Sequence, residues 1–235
     1  VAIRGILFDK DGTIIDYWRT WVPINREAAL FAAGGDSAIA DELLRLGGQD
    51  PDTDRVVPGT PLAAGDFFDI ASAFAAHPQV AAAEQLVAGI ERIFRAGGAK
   101  HSVLIDGART TLVELKRRGL RLGLATNDSG GGLEASLTGH DILDLLDFTA
   151  GCDSGFGSKP DPRMVFGFCR ALGIDRKEVA VVGDAVHDLA MGRAAGVALA
   201  IGVLSGTSGR ADLERHADLI VDSVNDLLER PELGG

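Results

Sequence analysis

Residues 2–9 form a short apolar run that reads as a β-strand buried on both faces, yet its partners lie far along the chain. About 85 residues without a convincing strand separate it from the region where such runs recur. Further runs of the same kind occupy residues 120–126, 179–183, 197–202 and 219–221, with a weaker one near Phe148. Helical segments are expected between them: 110–118 ending before Gly119, one opened by Asp161-Pro162 and closed at Gly173, and 185–195 closed at Gly196. Strands alternating with helices from about residue 103 onward indicate a doubly wound α/β fold with a parallel sheet. The intervening stretch is Ala-rich, with helical apolar spacing in 24–31, 39–46, 67–74 and 80–94. The organisation expected is an α/β core from 1–16 and 101–235, with a helical insertion over 17–100 hinged near residues 16–20 and 97–102.

Composition narrows the partners. A formal net charge of −11 opposes a nucleic-acid or anionic membrane surface, because both would be repelled at long range. Any anionic substrate therefore needs positive charge concentrated locally. No uncharged apolar stretch is long enough for a transmembrane helix, and residues 1–8 lack the layout of a secretory leader. With only Cys152 and Cys169, a disulfide framework is not expected and a cytoplasmic location is. Cys169 reads as core, Cys152 as a loop thiol without a role.

The chemistry concentrates at strand ends, where doubly wound sheets bind ligands. Phe8-Asp9-Lys10-Asp11-Gly12-Thr13 closes the first strand with two carboxylates two residues apart, beside a glycine that permits a sharp turn. Such a pair can serve one reacting group as nucleophile and proton donor, though an acidic turn would look similar. Thr126 and Asn127 end a second strand with a hydroxyl and an amide able to meet a phosphoryl oxygen, or to cap the next helix. Lys159, before Pro160 in a Gly-rich loop, could neutralise anionic oxygens or remain a solvated charge. Asp184 and Asp188 follow another strand at helical spacing, which suits a hard cation or the capping of a helix N-terminus.

Taken together and in this order, these pieces resemble the four motifs of the haloacid dehalogenase superfamily, over the whole chain. The insertion resembles the helical cap of its phosphoglycolate phosphatase-like branch. The resemblance implies that Asp9 attacks phosphorus and carries an aspartyl-phosphate, while Asp11 protonates the leaving oxygen and then activates water. It implies that Thr126 and Asn127 hold a phosphoryl oxygen and that Lys159 bridges nucleophile and phosphoryl group. It also implies Mg²⁺ bound by Asp9, the Asp11 backbone carbonyl and Asp184, with Asp188 in support. Mg²⁺ and Lys159 would offset the negative charge that Asp9, Asp184 and a phosphate dianion bring together. An acid at position 11 points to an oxygen leaving group, hence a phosphatase or phosphomutase. Lys10 departs from the commoner apolar residue; its side chain is expected to face away from the site, without a catalytic role.

The substrate implied is a small phosphorylated metabolite, with phosphoglycolate the first candidate by branch. Trp18, Arg19, Arg26, Arg45, Arg92 and Arg95 are the candidate cap contacts, Trp18 and Trp21 reading rather as cap-core packing. A phosphomutase of the β-phosphoglucomutase type would use the same core. A non-catalytic phosphoacceptor domain also combines an acceptor Asp, a Thr and a Lys-Pro, but carries its acids on different strands and has no insertion. A nucleotide-cofactor site is disfavoured, since Gly130-Gly131-Gly132 lacks the G-x-G-x-x-G spacing and no Walker A loop precedes Lys159. No His pair has metal spacing, and His187 is expected on the exposed side of its helix.

Overall fold

A computed structural model describes residues 2–233. Six strands, β1 (Gly5–Phe8), β2 (Arg121–Ala125), β3 (Phe148–Ala150), β4 (Val179–Gly183), β5 (Leu199–Val203) and β6 (Leu219–Val221), form one parallel sheet in the order β3-β2-β1-β4-β5-β6. The doubly wound α/β fold expected from the sequence is the fold observed. Alternate residues explain the missing polar alternation. Ile6 and Phe8 of β1 with Ala180 and Val182 of β4 face one apolar layer, while Leu7, Val179 and Val181 face another. Both faces are covered, so neither can be polar.

Between β1 and β2 run α1 (Tyr17–Ala32), α2 (Ser37–Gly47), α3 (Pro61–Ala64), α4 (Phe67–Ala75) and α5 (Ala83–His101). They bury a separate core that includes Ile24, Leu43, Leu44, Ile70, Phe74 and Ile90. The sheet is covered on one side by α6 (Ala108–Arg117) and α7 (Gly130–Leu137), which contribute Leu112, Leu115, Leu133 and Leu137. On the other side α8 (Arg163–Leu172) and α9 (Val186–Ala195) contribute Met164, Phe168 and Met191. The short α10 (Arg210–Leu213) follows β5 and buries Leu213.

The segments expected to act as hinges, 16–20 and 97–102, are largely helical. Asp16 caps α1 by accepting from Arg19 N, and α5 runs through Gly97 and Gly98 to His101. Both glycines are buried in that helix, so tertiary packing overrides their poor helix propensity. The two crossing segments instead bind each other. Asp16 N donates to Val103 O at 2.8 Å, Val103 N to Thr20 Oγ1 at 3.0 Å, and Ile105 N to Ile14 O at 2.9 Å. Among the described residues no helix is long and apolar enough to cross a membrane.

Candidate active site

β1 lies between β2 and β4, so the residues that follow these three strands converge at one edge of the sheet. Asp9 continues β1, its N–H bonded to Val182 O at 2.8 Å. Thr126 continues β2, its N–H bonded to Ala150 O at 2.9 Å, and Asp184 follows β4. All three are buried. Lys159 arrives from the loop before α8 and donates to both Asp9 Oδ1 and Asp188 Oδ1, the latter at 2.7 Å. Asp188 also accepts from Ala185 N at 3.0 Å. Asn127 spends its amide on that Lys loop: Oδ1 accepts from Lys159 N at 2.7 Å and Nδ2 donates to Lys159 O at 3.4 Å. The Thr126 hydroxyl accepts from Asp128 N at 3.1 Å, leaving its proton free to donate.

Carboxylate oxygens of Asp9, Asp184 and Asp188 all lie within 4.8 Å of one another. One buried ammonium does not balance three buried carboxylates, and the consequences follow. Burial pushes the Asp9 carboxyl up to about 7, and Asp188 and Asp11 add to the rise that Lys159 only partly offsets. Burial, then the charges of Asp9 and Asp188, holds Asp184 well above the ordinary carboxylate range. Burial also acts on Asp188, but Lys159, His187 and the Ala185 N–H outweigh it and leave that acid below its usual value. An all-oxygen donor set with this deficit of positive charge fits a hard divalent cation.

A turn of close approaches holds the acids in place. Gly12 has φ +85°, and a Cβ there would lie 2.7 Å from Asp184 Oδ2. A Cβ on Gly206 would overlap the same oxygen. Gly206 belongs to the loop after β5, whose Thr207 N donates to Asp184 Oδ2 at 2.8 Å and whose Ser205 Oγ donates to Gly12 O at 2.7 Å. Sequence reasoning assigned this loop nothing, although its place beyond the carboxyl end of a strand was a usable signal.

Three expectations are corrected. Lys10 does not face away. Its ammonium is fully buried, bonded to Asp128 Oδ2 at 2.7 Å and Ser136 Oγ at 3.3 Å, with Asp11 Oδ2 at 3.3 Å and the Trp21 ring centroid at 4.9 Å. The strand ends at Phe8, so strand alternation no longer governs where residue 10 points. Trp21 packs in the helical layer, stacked on Phe94 at 5.8 Å, but its indole N–H also donates to Asp11 Oδ1 at 2.5 Å. Trp18, by contrast, is exposed. Burial raises the Asp11 carboxyl, and Lys10 and Trp21 only partly counter this. His187 lies in the first turn of α9, lines the cleft and places Nε2 3.3 Å from Asp188 Oδ1; burial lowers its pKa.

A cavity of about 330 Å³ joins these acids to the helical layer. Its lining runs from Asp9, Asp11, Thr126, Asn127 and Asp184 to Leu62, Phe67, Ile70 and Phe94. None of the candidate arginines lines it. Arg26 is held by Asp54 and Pro51 O, Arg45 by Asp52, Arg95 by Glu91, and Arg19 lies 3.6 Å from Asp106.

Carboxylates gathered after the central strands of a parallel sheet, with helices inserted after the first strand closing over them, define a site suited to a hard cation and an anionic ligand. The family model for haloacid dehalogenase-like hydrolase matches residues 3–196, and the chain belongs to that family. It is 28% identical over 196 residues to N-acetylmuramic acid 6-phosphate phosphatase of Pseudomonas putida, covering 83% of this chain and 81% of the relative. It is 29% identical over 238 residues to phosphoglycolate phosphatase of Yersinia pseudotuberculosis, covering 99% and 94%. The crystal structure of a predicted phosphoglycolate phosphatase from Haemophilus somnus superposes with a TM-score of 0.75 at 20% identity, over 97% of each chain.

Proposed function

We propose that the chain is a Mg²⁺-dependent phosphatase of small phosphomonoesters that works through an aspartyl-phosphate on Asp9. The observation that carries this reading is the Lys159 ammonium held between Asp9 and Asp188, with Asp184 completing the acidic cluster. Asp9 attacks phosphorus and the ester P–O bond breaks, while Asp11 gives its proton to the departing alkoxide oxygen. Water then attacks the acyl phosphate, Asp11 takes its proton, and phosphate leaves with Asp9 restored. Burial suits Asp11 to this exchange, because it keeps the acid form accessible. Trp21 and Lys10 hold its carboxylate from two sides, and the Thr126 hydroxyl donates to a phosphoryl oxygen.

Asn127 sets Lys159, which screens the charge between nucleophile and phosphoryl group. Asp9, Asp184, the Asp11 backbone carbonyl and the supporting Asp188 are the residues that would hold Mg²⁺, which when bound draws charge off the phosphoryl oxygens. Residues 17–100 act as a cap that excludes water from the cavity. We also read the chain as cytoplasmic, in keeping with its two free cysteines.

The test is phosphate release from a panel of phosphomonoesters, with and without Mg²⁺, for the parent and Asp9→Asn. Release that needs Mg²⁺ and is abolished in the variant is expected. Phosphate retained on Asp9 without release, or moved to a second hydroxyl of the substrate, would overturn the reading.

A further inference from the structure

The cavity says more about the alcohol half of the ester than about the phosphoryl half. Seven carboxylates line it: Asp9, Asp11, Asp66, Glu91, Asp128, Asp153 and Asp184. Among the described residues no lysine or arginine does. The cations beneath and beside it are already engaged. Lys159 serves Asp9 and Asp188, Lys10 serves Asp11 and Asp128, and Arg95 reaches Glu91 at 2.7 Å. Asp66 and Asp153 have no cationic partner among the described residues. Asp66 accepts from Phe68 N and Asp69 N, and Asp153 from Gly130 N at 2.8 Å. Apart from Tyr17, Thr126, Asn127, Ser129, Cys152 and His187, the remaining surface is apolar, built mainly by Leu62, Phe67, Ile70, Phe94 and the face of Trp21.

We infer that the substrate is a phosphomonoester whose alcohol carries no negative charge and offers an apolar face to the Trp21–Phe94 wall. This deepens, and rests on, the phosphatase reading. A carboxylate on the alcohol half meets the solvent-exposed Asp66 and Asp153 at the rim of the cavity, with no described lysine or arginine in the lining to receive it. Like-charge juxtaposition of this kind rejects a ligand more strongly than a missing contact does. Uncharged and cationic alcohols escape that penalty. Phosphoglycolate, whose alcohol half is an anion, is therefore a poor substrate for this chain.

The experiment compares kcat/KM for three esters of matched size, 2-phosphoglycolate, 2-hydroxyethyl phosphate and phosphoethanolamine, using the full chain with saturating Mg²⁺. The expected result is a preference for the two non-anionic esters on the order of 10-fold. The Asp66→Asn/Asp153→Asn double variant keeps side-chain acceptors for the backbone N–H groups, and in it the ratio should narrow about threefold. Phosphoglycolate turned over as well as 2-hydroxyethyl phosphate overturns the inference and leaves the phosphatase standing. No phosphate from any ester of the series or of the wider panel overturns the phosphatase reading, and the inference with it.

Discussion

Replacing Lys159 with methionine removes the ammonium that lies between Asp9 and Asp188, both nearly inaccessible to solvent. Methionine keeps much of the length and apolar stem, so the change isolates the charge. Removing one partner of a buried ion pair costs about 3–5 kcal/mol, because the remaining charge stays desolvated. At about 2–4 °C per kcal/mol for a chain of this size, metal-free protein should melt some 6–20 °C lower. Asp9 limits the loss by taking a proton, since its carboxyl already stands near 7. Losing Lys159 raises that carboxyl further, so the folded state then binds more protons than the unfolded one over a wider range. The variant's deficit should therefore grow as pH rises through about 7 and above, where Asp9 ionises in the parent but not in the variant. Mg²⁺ supplies replacement charge to the same oxygens, so it should stabilise the variant more than the parent. Turnover should stay at least ~1,000-fold down even where stability is recovered. Thermal unfolding by circular dichroism in EDTA and in Mg²⁺ reads all of this. A fall under about 2 °C in EDTA, or an equal fall with and without Mg²⁺, would refute the charge argument.

Other perturbations test the remaining parts of the site. Trp21→Phe keeps the stack on Phe94 but deletes the N–H to Asp11, so kcat for alkyl esters should fall about 10- to 100-fold. p-Nitrophenyl phosphate, whose leaving group needs no proton, should change little; equal losses on both would assign Trp21 a purely structural role. In the parent, the raised Asp9 carboxyl contributes stability that is lost as pH rises from about 4 through about 7. Melting in EDTA should show that decline, and saturating Mg²⁺ should remove it. Gly206→Ala places a methyl against Asp184 and should weaken Mg²⁺ binding on the order of 10- to 100-fold by calorimetry, with unfolding still cooperative. Unchanged affinity would show that the loop after β5 yields freely.

The acids of the site were legible because each follows a run that can only be a buried strand. Asp9, Thr126 and Asp184 sit within a residue of where their strands end, and parallel strands deliver their carboxyl ends to the same edge. His187 was misread because its helix face was judged without knowing that the first turn of α9 borders the cleft. The helical layer was legible as helices, and its connections were not. Residues 16–20 were read as a hinge, and the capping role of Asp16 and the pairing of residues 14–16 with 103–105 came only from the tertiary structure.

Periodicity, strand-end placement and residue chemistry by themselves determined the α/β class, the helical insertion and the identity of the acids, because these depend on local pattern and on a topology with few alternatives. Tertiary structure alone decided what those acids feel. Lys10 was placed under Asp11 by Asp128 and Ser136, more than a hundred residues away. The Asp184 carboxylate was walled in by Gly206 from the loop after a different strand, β5. Arg45, Arg26 and Arg95 of the helical layer were drawn onto Asp52, Asp54 and Glu91 and kept off the cavity lining. Charge neutralisation and close approach depend on distances of a few ångströms between segments remote in sequence, and no local pattern encodes them.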